Sequence, residues 1–211
     1  MISRHSFRLA MPDSSHSFSP NLVPRDGEAR VWRGFVPERD AQHCFDVLRV
    51  ELAWHAEHIS MYGRSIAVPR LVAWYGDADA VYTYSGVTHA PLPWHPLLLQ
   101  LRDRISAVVH AHFNSVLANL YRNGADSMGW HADKEPELGP EPVIASLSFG
   151  ATRVFKLQHN KTKQRVDVAL ASGDLLLMAG VLQRCWRHSL PKTTVAVGER
   201  INLTYRFIQR T

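Results

Sequence analysis

The second half of the chain is crowded with short β-forming runs, and this crowding constrains the fold most. Runs at 115–121, 143–149, 153–159, 165–170, 174–179, 187–190 and 201–208 are rich in Val, Ile, Leu, Phe and Tyr. Turn signals separate them: Gly139-Pro140, Gly150, His159-Asn160, Ser172-Gly173 and Val197-Gly198. Many short strands at close spacing predict a sandwich or jelly roll, because each half-buried strand needs partners on both edges. Upstream lie two helical patterns. Pro37 opens one that reaches about residue 54, with Phe45, Leu48 and Leu52 on one stripe. The other spans 97–113 and buries Leu97, Leu98, Leu101, Ile105, Val108 and Val109. The fold class is therefore mainly β with flanking helices.

Between the helices, residues 31–35, 68–75 and 81–86 read as extended, and Gly63 suits a hairpin turn. Residues 1–25 are rich in Ser, Pro and His without periodicity and read as a loose arm. The remainder, 26–211, fits one domain, and there is no internal repeat.

Composition narrows the setting. No run of 18 apolar residues occurs, so no membrane-spanning helix is expected, and the N-terminus is too polar for a secretory leader. Cys44 and Cys185 form neither a framework nor a CxxC pair. Free thiols in a reducing compartment are expected: the cytoplasm, or the nucleus of a eukaryotic source. The net charge of +5 and pI near 9.5 favour a polyanionic partner such as nucleic acid.

The chemistry concentrates in Asn119 to Asp133, which ends in His131-Ala132-Asp133. With 12 His in 211 residues, a lone His-x-Asp triplet carries little weight. Geometry adds to it. In an extended strand, residues i and i+2 point the same way, so His131 and Asp133 can grip one ion from one side. A third ligand must come from elsewhere, and His188 stands downstream. Two His and one carboxylate leave coordination positions open, as suits a non-haem Fe(II) oxygenase. A second triplet, His55-Ala56-Glu57, falls at the end of a helical pattern, where i and i+2 diverge by about 200°. It is not expected to bind metal.

In the last run, Arg200, Asn202, Thr204 and Arg206 share one face and Ile201, Leu203 and Tyr205 the other. Buried, the polar face needs anions; on the outside, water would satisfy it. Asn119 and Tyr121 likewise share a face. A small dicarboxylate held by a forked guanidinium at each end fits both sets.

Together these residues resemble a known family. Asn119-Leu120-Tyr121, His131-x-Asp133, the distal His188 and R-I-N-L-T-Y-R at 200–206 are similar to the AlkB family of Fe(II)- and 2-oxoglutarate-dependent dioxygenases. The branch that repairs alkylated DNA matches best. P-R-L-V-A-W-Y-G-D at 69–77, Y-T-Y-S-G at 82–86 and I-A-S-L-S-F-G at 144–150 follow the family order. The resemblance implies a double-stranded β-helix (jelly-roll) core over about 115–210. An N-terminal nucleotide-recognition lid would lie over about 55–90. It assigns Fe(II) to His131, Asp133 and His188, and 2-oxoglutarate to Asn119, Tyr121, Arg200, Asn202 and Arg206. O2 is the second cosubstrate.

For the substrate it implies Tyr84 stacked on the target base opposite His131. Glu135 would stand near the base's polar edge, with Tyr82 and Ser85 beside the pocket. Lys134 departs from the Asp often found there. In Ser60-Met61-Tyr62-Gly63, Met61 and Tyr62 match a hydrophobic and aromatic pair of the duplex-active branch. An aromatic on a turn can wedge between base steps. Arg70 would be a phosphate or base contact.

The implied activity is oxidative dealkylation of N-alkylated bases in DNA by a monomer. The implied products are formaldehyde, succinate and CO2. RNA, another substrate, or a non-catalytic nucleic-acid-binding module are the alternatives.

Overall fold

The computed structural model describes residues 17–61, 64–80, 82–84 and 87–209, and for 59–61, 64–66, 82–84 and 87–89 the backbone alone. The elements run β1 (Glu28–Trp32), α1 (Glu38–Glu51), β2 (His55–Met61), β3 (Arg64–Gly76), β4 (Tyr82–Tyr84) and β5 (Val87–His89). Then come α2 (Pro96–Val109), β6 (Ser115–Tyr121), β7 (Met128–His131), β8 (Ile144–Gly150) and β9 (Arg153–His159). The chain ends with β10 (Arg165–Leu170), β11 (Leu175–Ala179), α3 (Leu182–Cys185), β12 (Trp186–Leu190) and β13 (Arg200–Arg206).

Two antiparallel sheets face one another. The larger has the order β1-β11-β8-β13-β6-β3-β2, the smaller β10-β9-β12-β7, and β4 and β5 form a separate hairpin. This is the expected mainly β, jelly-roll architecture. β2 and β3, which flank the hairpin turn expected at Gly63, pair antiparallel, and β3 joins them to the large sheet beside β6. Among the described residues, no helix is long and apolar enough to cross a membrane.

The large sheet is buried on both faces because it is covered twice. Ile201, Leu203 and Tyr205 face α1 and α2 in one cluster with Leu48, Leu98, Leu101 and Ile105. The Tyr205 hydroxyl donates to the Leu98 carbonyl at 3.0 Å. Each such buried Leu or Ile contributes roughly 1.5–3 kcal/mol. Between the sheets, Ile144, Leu157, Leu176 and Trp186 form a second cluster.

Two expectations need correction. Helix α2 stops at Val109 rather than 113, because His110 turns left-handed (φ 52°) and ends the ladder. The arm expected to be loose is tied down over its described part. Ser19 N–H donates to the Val31 carbonyl, Leu22 N–H to that of Ala29, and Val23 is buried. Apolar side chains beside an edge strand give this segment enough contact to order it.

Candidate active site

Strands β7 and β12 lie side by side at the edge of the small sheet, with His131 directly opposite His188. The imidazoles meet edge to face at 4.2 Å, and Phe155 stacks on His188 at 5.2 Å. His131 Nδ1 lies 2.9 Å from the Gly129 carbonyl. A carbonyl can only accept, so Nδ1 carries a hydrogen and Nε2 is the ring nitrogen left to face a metal.

Asp133 lies two residues beyond the end of β7, so strand alternation does not place it as expected. The Gln183 side chain does: Asp133 N–H donates to its Oε1 at 3.1 Å. Asp133 Oδ1 then sits 3.6 Å from His131 Nε2 and 4.0 Å from His188 Nε2. The donor atoms of the three residues lie within 4.8 Å of one another, the one such group among the described residues. His55-Ala56-Glu57 is not part of it. His55 and Glu57 nevertheless lie on strand β2, not at a helix end, so the geometric reason for dismissing them fails.

The triad is electrostatically prepared for a cation. Burial would raise the Asp133 pKa, but Arg206 and then the two histidines overcome it and hold the carboxyl well below its usual range. Burial, and next the neighbouring His131, push His188 down to about 3. It is therefore a neutral ligand at physiological pH. One carboxylate and two imidazoles with open positions suit Fe(II).

Behind the triad is a narrow polar cleft of about 40 Å³. Register builds it: Tyr121 and Asn119 on β6 pair with Arg200 and Asn202 on β13. On the other side of β13, Asn202 and Thr204 pair with Ser148 and Ser146 of β8. Arg200 is 2% exposed and Asn202 8%, which rejects a solvated outer face. Arg200 donates to Ser148 Oγ at 2.9 Å and its guanidinium lies 5.5 Å from the Tyr121 ring centre. Its buried Nε has no hydrogen-bond partner. Burial lowers its pKa to about 10, which leaves it charged at neutral pH. A buried cation with an unused donor fits a carboxylate of 2-oxoglutarate.

Arg206 lines the cleft too, but its fork closes on Asp133 Oδ2, from Nε at 3.1 Å and Nη2 at 2.8 Å. The two arginines are thus not equivalent clamps, because the nearer carboxylate already belongs to the chain.

In front of the triad opens a cavity of about 430 Å³, lined by Trp74, Leu92, Leu117, Met128, His131, Asp133 and Glu135, and by His55, Glu57 and Arg70. Arg70 is 5% exposed and donates to Asn119 Oδ1 at 2.7 Å. Arg70, expected as a phosphate or base contact, thus stands in the cavity wall with its Nε engaged by Asn119. Tyr62 and Ser85 lie outside the described residues, and Met61, Tyr82 and Tyr84 are described by backbone alone, in β2 and β4. A larger cavity of about 670 Å³, by Asp77, Arg102 and His110, shares no residue with the triad.

A family model described as the 2OG-Fe(II) oxygenase superfamily matches residues 28–206. A Bos taurus protein, alpha-ketoglutarate-dependent dioxygenase alkB homolog 3, is 42% identical over 202 residues, 91% of this chain and 69% of that one. The chain belongs to the AlkB family of 2-oxoglutarate- and Fe(II)-dependent dioxygenases. Another AlkB relative, the Homo sapiens DNA oxidative demethylase ALKBH2, is 39% identical over 214 residues, 95% of this chain and 82% of its own. Among solved structures, that of OsALKBH1 superposes with a TM-score of 0.63 at 19% identity, covering 89% of this chain and 100% of that chain, and supports the fold.

Sequence reasoning missed Gln183, Ser146 and Ser148 as parts of this AlkB site. The serines carried a signal, two polar residues at alternate positions of an apolar strand. Gln183, on a four-residue helix, carried none. Gln183→Leu is expected to weaken metal affinity about 10- to 100-fold, the usual loss when a ligand's supporting bond goes. Metal titration of the variant checks it; unchanged affinity would leave Asp133 positioned by other groups.

Proposed function

We propose that this chain oxidatively dealkylates N-alkylated bases in DNA, 1-methyladenine and 3-methylcytosine among them, with Fe(II), 2-oxoglutarate and O2. Formaldehyde, succinate and CO2 are the products. The observation that carries this reading is the meeting of two cavities at one triad. The narrow cleft ends on Arg200, and the front cavity has the size of a small-molecule pocket.

In this reading His131, Asp133 and His188 hold the metal, and Asn119, Tyr121, Arg200, Asn202 and Arg206 surround the 2-oxo acid. When bound, iron and 2-oxoglutarate supply the oxidation of the N-alkyl carbon by O2. The chain supplies position, charge and dryness. Arg200 neutralises the buried carboxylate of the cosubstrate. Arg206 fixes the Asp133 carboxylate so that Oδ1 faces the two histidines. Leu117, Met128 and Trp74 line the approach and exclude water. Glu135 stands on the cavity wall, where it can accept a hydrogen from an exocyclic amino group. A base stacked in a duplex cannot enter such a cavity, so the target is unpaired or flipped. Met61, Tyr62, Tyr82, Tyr84 and Ser85 belong to the region that would receive it.

The test is incubation with Fe(II), 2-oxoglutarate and oligonucleotides carrying one 1-methyladenine or 3-methylcytosine, as DNA and as RNA. The expected product is DNA lighter by one methylene. RNA as the sole product would move the substrate, and neither product would end the reading. Tyr62→Ala is expected to slow repair of double-stranded DNA far more than single-stranded DNA, which has no gap to fill. The ratio of initial rates at matched salt checks it, since salt alone changes affinity. An unchanged ratio would leave Tyr62 without a wedging role.

A further inference from the structure

Trp130 stands next to a metal ligand and takes no part in the site described. The ladder between β7 and β12 pairs His188 with His131 but Leu190 with Met128, so Gly129 and Trp130 together oppose Ser189. Such a bulge re-aims side chains beside a functional site. His131 turns inward to the triad, while Trp130 turns to the outer face of the small sheet and is 39% exposed. Arg187 lies over the indole, 5.1 Å from the ring centre, and covers one face of it. The fork of Arg187 is steadied by Gln158 Oε1, at 3.1 Å from Nε and 2.5 Å from Nη2. Gln158 is neutral, so the charge of Arg187 is held in place without being cancelled.

Register continues this row across the sheet. Gln158 of β9 pairs with Arg187 of β12 on one side and with the exposed Arg165 of β10 on the other. Lys156 and Asp167 stand on the same face, joined at 3.0 Å. Arg165, Lys156 and Arg187 thus outnumber Asp167, and the row ends at Trp130 on the edge strand. From β10 to β7 it spans three strand spacings, roughly 15 Å, or about four stacked nucleotides at roughly 3.4 Å each. Met128 and His131, on the same edge strand as Trp130, line the front cavity. A chain leaving that cavity has one strand, about 5 Å wide, to cross before it meets the indole.

We propose that this outer face carries the single-stranded DNA that flanks the target base. Its phosphates follow Arg165 and Arg187, and one base stacks on the open face of Trp130. This rests on the dealkylation reading above. Cations that track a backbone and end on an aromatic platform are the means by which proteins hold single strands. A duplex does not fit, because its bases stack on one another and offer no free face to an indole.

The experiment measures binding of a 1-methyladenine oligonucleotide of about 12 nucleotides to the anaerobic Fe(II)–2-oxoglutarate enzyme by fluorescence anisotropy, as single strand and as duplex. Trp130→Ala should weaken the single strand about ten-fold, the scale of one stacked base, and the duplex by less than about two-fold. Trp130→Phe, which keeps a ring, should retain most of the affinity. Arg165→Gln and Arg187→Gln should each lower the slope of log affinity against log salt by about 0.7, the value of one lost phosphate contact on a single strand. Arg165 is exposed and three strands from β7, so its salt slope carries the test even if Trp130→Ala disturbs His131. Wild-type salt slopes in both arginine variants overturn the proposal, as do equal losses on single strand and duplex in Trp130→Ala. Wild-type enzyme that binds the strand through these residues yet leaves 1-methyladenine intact ends the dealkylation reading and keeps the surface.

Discussion

Asp133→Ala should bring succinate formation down to background in a protein that still folds. The carboxylate is the one anionic donor of the triad, with Oδ1 turned to both histidines. Without it two imidazoles remain, a poor set for Fe(II), which favours mixed nitrogen and oxygen donors. The second carboxylate oxygen accepts two hydrogen bonds from Arg206. The variant therefore loses an ion pair as well, and the guanidinium must turn to water in the adjoining cavity. Far-ultraviolet circular dichroism should keep the β-rich spectrum, and metal titration should show the loss of tight iron binding. Wild-type succinate production would remove Asp133 from the metal site.

Arg200→Ala and Arg206→Ala should separate in a way that the bare sequence does not suggest. Arg200 contacts Ser148 and the face of Tyr121 and touches none of the triad in the contacts seen. Its loss should weaken 2-oxoglutarate binding by about 2–5 kcal/mol, roughly 30-fold to above a thousand-fold, and leave iron affinity nearly unchanged. Much of that cost is the cosubstrate's carboxylate left buried without its cation. Arg206 also holds Asp133, so its loss should weaken both iron and 2-oxoglutarate. Calorimetry with each ligand decides. If iron affinity fell equally in the two variants, the assignment of Arg206 as the carboxylate's partner fails. If neither lost affinity for 2-oxoglutarate, the cleft is not its site.

Much of this molecule was legible in one dimension because its signals are local. Strands β6, β9 and β10 fall on the expected residues, since alternation and β-branched content are properties of a few neighbouring side chains. The polar face of β13 and the order of the motifs pointed to the triad and the cosubstrate set for the same reason. Boundaries were less secure. His110 ends α2 through a backbone conformation that no helix signal in the sequence announces.

Other features exist only in three dimensions. The arm around Ser19 and Val23 is ordered by β1 and by residues far along the chain, so its composition misleads. Asp133 is aimed by Gln183, fifty residues away and outside any motif. Arg206 and Arg200 look alike in sequence; only the distance to Asp133 separates a ligand-orienting residue from a cosubstrate clamp. Glu57 was dismissed on a helical periodicity that β2 does not obey, and pairing with β3, bulge included, brings it to the cavity wall. Alternation and turn chemistry determine which residues can share a face, because those forces act over a few bonds. Which face meets which is decided by register and burial, summed over strands distant in the chain, and that sum exists only in the folded protein.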